Sequence, residues 1–494
     1  MSFSSLFASM ESVFLHFLVE PLSSFLFFDI AFFNKDISLP FILVWLLFGA
    51  IFLTIKMGFI HLKSFKHAID VIRGKYDEHS DPGEVSHFAA LSSALSGTLG
   101  LGNISGVALA ISIGGPGAVF WMIIAGFFGM TAKFAECSLA VMYRQIDKDG
   151  KVLGGPMLYI KEAFKEKGYQ RLGAFLSSLF AVLCIGGSLG GGNMFQANQS
   201  YAAVANMFPY LKDNAWMYGL FMAFIVGLVI IGGIKRIGST ASIIVPFMCI
   251  FYLLCGIWII LANWQMIPSA FVEIYNGAFN PQAGYGGIIG VLVVGFRRAA
   301  FSNEAGIGSA AIAHSAVATK EPIREGIVAC LEPFIDTILV CTMTGLVVVI
   351  TGVYKNTALK DGVLMTSEAF AQGASWMPAM LVIAIVLFAF STMISWSYYG
   401  ERCWAYLFNT SNTLPYKIIF LFFSFLGSVF AFGPVLEFSD LMILGMSFPN
   451  MLGIILLSGK LKSALADYWG RYKSEEIKGL EPINSVNNEY YPNS

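Results

Sequence analysis

Hydrophobic positions along the chain fall into long blocks separated by polar stretches rich in Lys and Arg. A helix needs about 20 apolar residues to cross a bilayer, whereas a barrel strand runs to roughly ten residues of strict alternation. The blocks predict eleven spans, over 38–57, 85–113, 118–143, 172–206, 215–233, 239–262, 285–318, 324–353, 376–407, 416–433 and 438–458. The expected fold class is therefore an all-α polytopic membrane protein. Residues 1–34 are apolar but interrupted by Glu11, Glu20, Pro21 and Asp29, and read as an interfacial segment. Residues 35–84 read as an extra N-terminal span with its basic loop, and 459–494 as a polar tail, disordered near Ser485–Ser494.

Two blocks break their own pattern. In the second span, Gly97, Gly100 and Gly102 lie close together beside Ser96, Thr98, Asn103 and Ser105. Each glycine costs a helix interior about 1 kcal/mol relative to alanine, so the helix is expected to be interrupted midway. Backbone groups freed at that depth must face protein, water or a ligand, and a discontinuous span lined by small polar side chains marks a transporter's binding site. Close helix packing through small residues is the alternative. The seventh span carries a second such stretch from Gly295 to His314, and its Gly306-Ile307-Gly308-Ser309 parallels Gly100-Leu101-Gly102-Asn103. Each stretch opens a block of five spans, 85–262 and 285–458. Five is odd, so the second block enters the membrane from the opposite side, giving an inverted repeat.

Composition narrows the class. Of 494 residues, 56% are hydrophobic and 12% charged, against about 25% charged in soluble proteins. A net charge of −1 argues against nucleic acid as a partner. The seven cysteines lie in apolar segments without a CxxC pair and read as small buried hydrophobes. No phosphate-binding GxxxxGK[ST] loop occurs, which excludes an ATP-driven pump of that type. No secretory signal peptide is expected, since the first basic residue is Lys35. Lys and Arg concentrate in 58–84, 144–171, 234–238, 317–325, 408–417 and the tail. The positive-inside rule then places the N-terminus outside and the C-terminus in the cytoplasm.

Broken spans supply their own chemistry. A half-helix N-terminus suits a carboxylate, and unwound carbonyls suit a hard cation. The freed carbonyls around Gly97 and Gly100 could be joined by hydroxyls of the ninth span at Ser391, Thr392 and Ser395, each of which could instead bond its own helix. Asn193, Gln196, Asn198 and Gln199 crowd the fourth span, for a polar cavity or for interhelical bonding. Phe195 and Trp396 could wall an apolar pocket. Arg297, Arg298 and Glu304 share one span and read as an internal ion pair, with a gating role as the alternative. Lys133 and Glu136, three apart, are expected to pair, and His314 reads as a satisfied helix-end histidine, with a proton carrier as the alternative.

The stretches ALSGTLGLGNISGVALAISIGGPGAVFWM, FAECSLAVMYR, GGPMLYI, GGNMFQANQ, FSNEAGIGSAAIAHSA and FSTMISWSYYGE, between Ala94 and Glu401, resemble the alanine/glycine:cation symporter family of sodium-coupled amino acid carriers. That resemblance implies the leucine-transporter-type five-plus-five inverted repeat, here after one extra span. By position it implies that Thr98, Gly100, Gly102 and Asn103 meet the substrate carboxylate or its surroundings. Gln196, Ser302, Asn303, Glu304 and Trp396 would line the pocket. A sodium ion would sit between the break at Gly97 and Gly100 and the hydroxyl pair Ser391 and Thr392. The implied activity is import of a small neutral amino acid, alanine or glycine, with sodium, by alternating access across the cell's plasma membrane, with no cofactor besides the coupling ion. A proton-coupled carrier or a carrier of larger amino acids is the alternative within the class. A membrane-embedded enzyme or sensor is the alternative outside it. No HExxH or GxSxG is present, and the tail is too short for a sensor domain.

Overall fold

The computed structural model describes residues 15–30, 38–78, 80–148, 150–279, 284–356, 359 and 361–477. Residues 1–14 of the interfacial segment and the tail beyond 477 lie outside them. Among the described residues the spans are helical, as the block pattern requires. We number the principal helices α1 (Phe41–Lys56), α2 (His87–Thr98), α3 (Gly102–Gly114), α4 (Gly117–Met142), α5 (Pro156–Glu166), α6 (Gln170–Met207), α7 (Ala215–Ile230), α8 (Gly233–Ala262) and α9 (Ile267–Ala278). They continue as α10 (Gly284–Asn303), α11 (Ser309–His314), α12 (Pro322–Thr351), α13 (Gly362–Ala371), α14 (Met377–Phe408), α15 (Leu414–Val429) and α16 (Phe432–Lys473).

Six of these are long and apolar enough to cross a bilayer singly, and α2 with α3 forms a seventh span bent by 51°. The shorter apolar helices α1, α7 and α15, with the pair α10 and α11, are consistent with eleven spans. The order of elements recurs. A broken span (α2/α3, α10/α11) is followed by a long helix (α4, α12), a short helix (α5, α13), a long one (α6, α14), a 16-residue one (α7, α15) and a last long one (α8, α16). Equivalent helices pack on each other, α6 along α14 and α7 along α15. On α8 the residues Ile243, Phe247, Ile250, Leu254 and Leu261 are exposed and recur at helical spacing. Such an unpartnered apolar stripe suits contact with lipid.

The polar connections hold more structure than the sequence pattern predicts. Residues 57–84 contain helices Ile60–Lys63 and Phe65–Ile72, and 144–170 contain a two-stranded hairpin, β1 (Gln145–Ile146) with β2 (Val152–Leu153), followed by α5. The tail departs furthest from expectation: α16 runs on to Lys473. Its extension is held by Arg471, which donates to both carboxylate oxygens of Glu321 at 2.8 and 3.0 Å, and by Tyr468, whose hydroxyl meets His67 Nε2 at 2.7 Å. Helix Glu20–Leu26 precedes α1, and Phe27 beyond it lies beneath the Arg297 guanidinium at 4.7 Å.

The expected internal pairing of Arg297, Arg298 and Glu304 is corrected. Both arginines pair instead with Asp440 on α16, Arg297 at 2.9 Å, because Glu304 lies beyond the end of α10 in the break. Lys133 does pair with Glu136, at 3.6 Å, and shares its charge with Glu332 at 3.2 Å. Removing one member of a buried pair typically costs about 3–5 kcal/mol. Asp440→Ala is therefore expected to lower the thermal unfolding midpoint in detergent well below that of Asp467→Ala, which breaks only the exposed contact to Arg471. Equal midpoints for the two variants would remove Asp440 from the stabilising contacts.

Candidate functional site

The first break begins where α2 stops at Thr98. Leu99 closes the last turn on Leu95 O at 2.7 Å, and the chain resumes as a π turn, Gly102–Gly106. Leu99–Leu101 therefore release backbone groups at the depth where these cost most. Their partners are part backbone and part side chain. Gly100 N–H is shared between Thr98 O at 2.8 Å and Asn103 Oδ1 at 3.0 Å, and Leu101 N–H donates to Gln196 Oε1 at 2.9 Å. Thr392 Oγ1 donates toward the carbonyls of Ser96 and Leu99, at 3.0 and 3.4 Å, and Trp396 Nε1 toward Gly97 O at 3.2 Å. A Cβ on Gly100 would lie 2.6 Å from Thr392 Oγ1 and 3.1 Å from Gln196 Oε1. Glycine is needed there for close approach, not for an unusual φ.

The second break spans Glu304–Gly308, and three of its residues adopt positive φ: Glu304 at 55°, Gly306 at 82° and Gly308 at 94°. For glutamate this is a strained conformation, and it is held from both ends. Trp396 Nε1 donates to Glu304 Oε1 at 2.9 Å, and Ser309 Oγ donates to Oε2. Gly306 O accepts from Asn450 Nδ2 on α16 at 2.9 Å, and Asn303 Oδ1 accepts from Ala305 N–H at 3.0 Å.

Two hubs join the breaks. Trp396 on α14 reaches both, through Gly97 O and Glu304. Asp336 on α12 is the other: Asn103 Nδ2 donates to its Oδ1 at 2.6 Å, Ser302 Oγ to its Oδ2 at 3.0 Å and Thr337 Oγ1 to the same oxygen at 2.7 Å. Asn303 Nδ2 donates in turn to Thr337 Oγ1 at 2.9 Å. Phe195 and Phe301 pack edge to face beside them, ring centroids 5.0 Å apart. The segment around Asp336, Phe334–Cys341, is itself a π stretch.

Gly100, Asn103, Gln196, Ser302, Asn303, Glu304, Thr392 and Trp396 thus meet around one buried centre. Other candidates lie at its edge. Thr98 Oγ1 bonds its own helix, at Ala94 O (3.3 Å) and Leu95 O (3.4 Å). The Ser391 hydroxyl donates to Phe388 O in its own helix at 3.0 Å, while its carbonyl accepts from Ser96 Oγ at 2.6 Å. A Cβ on Gly102 would meet Ser302 Cα at 3.3 Å, so this glycine serves packing between the two broken spans. Gly97 lies within α2, with Tyr399 against it. The four amides divide by face. Gln196 and Gln199 turn to the first broken span, where Ser105 Oγ donates to Gln199 Oε1. Asn193 and Asn198 donate to carbonyls of Phe420, Gly427 and Phe430, in and just after α15.

Asp336 is not among the residues that the sequence motifs single out, although a signal for it is present in the chain. Glu325, Glu332 and Asp336 all fall within the predicted eighth span, and acids at that depth mark function or obligatory pairing. Asn450 was hidden because a single amide in a long apolar block carries no pattern. The assembled centre offers carbonyl and hydroxyl oxygens of the kind a hard cation takes. It also offers the Leu101 N–H, whose acceptor is the Gln196 side-chain amide, and the Gly100 N–H, shared between Thr98 O and Asn103 Oδ1.

The chain matches the sodium:alanine symporter family over residues 27–481. It is 40% identical to the sodium/alanine symporter AgcS of Methanococcus maripaludis, across 87% of this chain and 94% of that one. It is 32% identical to the amino-acid carrier protein AlsT of Bacillus subtilis, across 93% and 96%. With the probable sodium/glutamine symporter GlnT of the same organism it shares 31% identity, across 90% of both. Among solved structures, MhsT in complex with L-phenylalanine superposes with a TM-score of 0.47 at 15% identity, covering 77% of this chain and 99% of that one. Two interrupted spans meeting at a buried polar centre, in a chain matched nearly end to end, make this protein a member of the sodium:alanine symporter family, a multi-pass membrane carrier that couples amino acid transport to a cation.

Proposed function

We propose that the protein imports a small neutral amino acid, alanine or glycine, together with sodium, by alternating access. The observation that carries this reading is Thr392 Oγ1 standing between the carbonyls of Ser96 and Leu99. Turned to present its lone pairs, that hydroxyl completes a set of neutral oxygens with the two carbonyls, and sodium is coordinated by such oxygens. The substrate carboxylate is assigned to the N–H groups of Gly100 and Leu101, replacing Gln196 Oε1 at Leu101 and, at Gly100, Asn103 Oδ1 and Thr98 O as acceptors. Thr392 and Gln196 crowd the backbone at Gly100, which favours a short side chain. The name of the 40% identical relative supports alanine.

Orientation follows from the basic loops. We place the N-terminus outside and the C-terminus inside, so that Lys63, Lys66, Arg73, Lys161 and Lys165 lie in the cytoplasm. In a background without native cysteines, single cysteines at Ser80 and Lys148 are expected to resist impermeant thiol reagents in intact cells. Labelling of both from outside would invert this topology.

The cation assignment makes a kinetic prediction. Loss of one neutral oxygen ligand is worth about 1–1.5 kcal/mol, equivalent to roughly five- to tenfold in affinity. Thr392→Ala is expected to raise the sodium concentration for half-maximal alanine uptake by that factor, with a smaller effect on the alanine requirement at saturating sodium. Thr392→Ser, which keeps the oxygen, should stay near wild type. An unaltered sodium requirement in Thr392→Ala at matched expression would leave the hydroxyl as a brace for the α2 carbonyls and nothing more.

A further inference from the structure

Each broken span ends at a histidine on the same side of the membrane, and the two histidines share one carboxylate. His87 begins α2 and His314 ends α11. Their Nδ1 atoms meet different oxygens of Glu325, His87 at Oε2 and His314 at Oε1. The second nitrogen of His314 meets Glu332 Oε1. All four side chains are buried. The charged and titratable groups around them come from every packed element. Lys133 of α4 lies 3.2 Å from Glu332 and 3.6 Å from Glu136, and the Cys137 thiol stands beside His314 and Glu332. Asp77, half-exposed, lies 3.9 Å from His87 Nε2. Arg324 donates to Tyr76 O at 2.7 Å.

The main chain is sewn together at the same place. Glu84 N–H donates to Ala316 O at 2.8 Å and Ala318 N–H to Val85 O at 2.7 Å. The Arg144 guanidinium donates to the carbonyls of Pro82, Ser315, Val317 and Thr319 at 2.7, 2.8, 2.5 and 2.6 Å. The end of the chain entering α2 and the end leaving α11 are thus one joined unit.

A count of hydrogens shows what the cluster holds. Two hydrogen bonds between the His314 ring and two carboxyl groups need two hydrogens. A neutral imidazole carries one. The other is an additional proton, on the ring or on a carboxyl, and Lys133 does not supply it because its ammonium is already shared between Glu136 and Glu332. A metal ion held by Cys137, His314 and Glu332 fits poorly: it would displace the ring from Glu332 and face the Lys133 ammonium.

We propose that His87, His314, Glu325 and Glu332 form a proton-binding site that locks the two broken spans together at this end, and that opening of this end releases the proton. The inference rests on the reading of the chain as a carrier that opens alternately to its two sides. The closed state binds one proton more than the open state. Opening is therefore favoured as pH rises, by up to tenfold per pH unit while the linked proton is being released.

Hydrogen exchange on the purified full chain tests this without any substrate, so a wrong assignment of alanine or sodium cannot affect it. The probes are the Glu84, Val85 and Ala318 amides, read by mass spectrometry as protection factors corrected for intrinsic exchange across a pH series. Wild-type protection should fall by up to tenfold per pH unit. Glu332→Gln supplies an amide that donates to a neutral ring, so the extra proton is no longer needed and its profile should be flat. His314→Gln should also be flat, and serves if the first variant fails to fold. Equal slopes in wild type and either folded variant would overturn the proposal, as would a flat wild-type profile.

Discussion

A peptide group released from a helix at the middle of a bilayer has no water to turn to. Leaving it unmet costs several kcal/mol, more than the roughly 1 kcal/mol by which a glycine weakens a helix. The glycines make the breaks feasible, but other elements decide whether they persist. Gln196 comes from α6, Asp336 from α12, Thr392 and Trp396 from α14, and Asn450 from α16. Each break is therefore stable only inside the assembled bundle. On the proposed assignment, the groups that complete the backbone's hydrogen bonds are also those that a substrate and an ion displace or join, so binding exchanges one set of partners for another.

Charge is distributed by a related logic. Arg297 and Arg298 share Asp440, and Lys133 is shared by Glu136 and Glu332. Asp336 is held by an amide and two hydroxyls instead of a cationic side chain. Buried pairs of this kind are weak sources of net stability but costly to leave half-made. They fix which helices can sit side by side. Arg298 ties the second broken span, at α10, to the unbroken α16, and Lys133 ties α4 to α12.

Much of this was legible in the residues. Except at α16, hydropathy blocks match the helix boundaries to within several residues, because a bilayer demands a long apolar run from any helix that crosses it. The clustered glycines located the first break, and the GxG match located the second. What stayed hidden was partnership. Glu304 and Arg298 are near neighbours in sequence, yet the chain turns through positive φ between them and α11, and they join different networks. Likewise Ser391 and Thr392 are adjacent, but one faces its own helix and the other crosses to α2. Adjacent helical positions differ by about 100° in direction, and only packing decides which of them looks inward. The length of α16 was hidden for a similar reason. Its polar extension satisfies no hydropathy criterion and is ordered by Glu321 and His67, residues remote in the chain.

The π turns bear on how such sequences are compared. A π turn takes up one residue more than the α-helix it interrupts, so everything after it is rotated by about 100° from its α-helical phase. The turn Gly190–Met194 stands directly before Gln196 and Gln199. Both amides take their aim toward the first break from that extra residue. Deletion of one glycine there would be nearly invisible in hydropathy and would keep every named side chain in the sequence, yet it would steer both amides off the centre. In alignments of related carriers, a single-position gap at this point carries as much meaning as a substitution in the site itself.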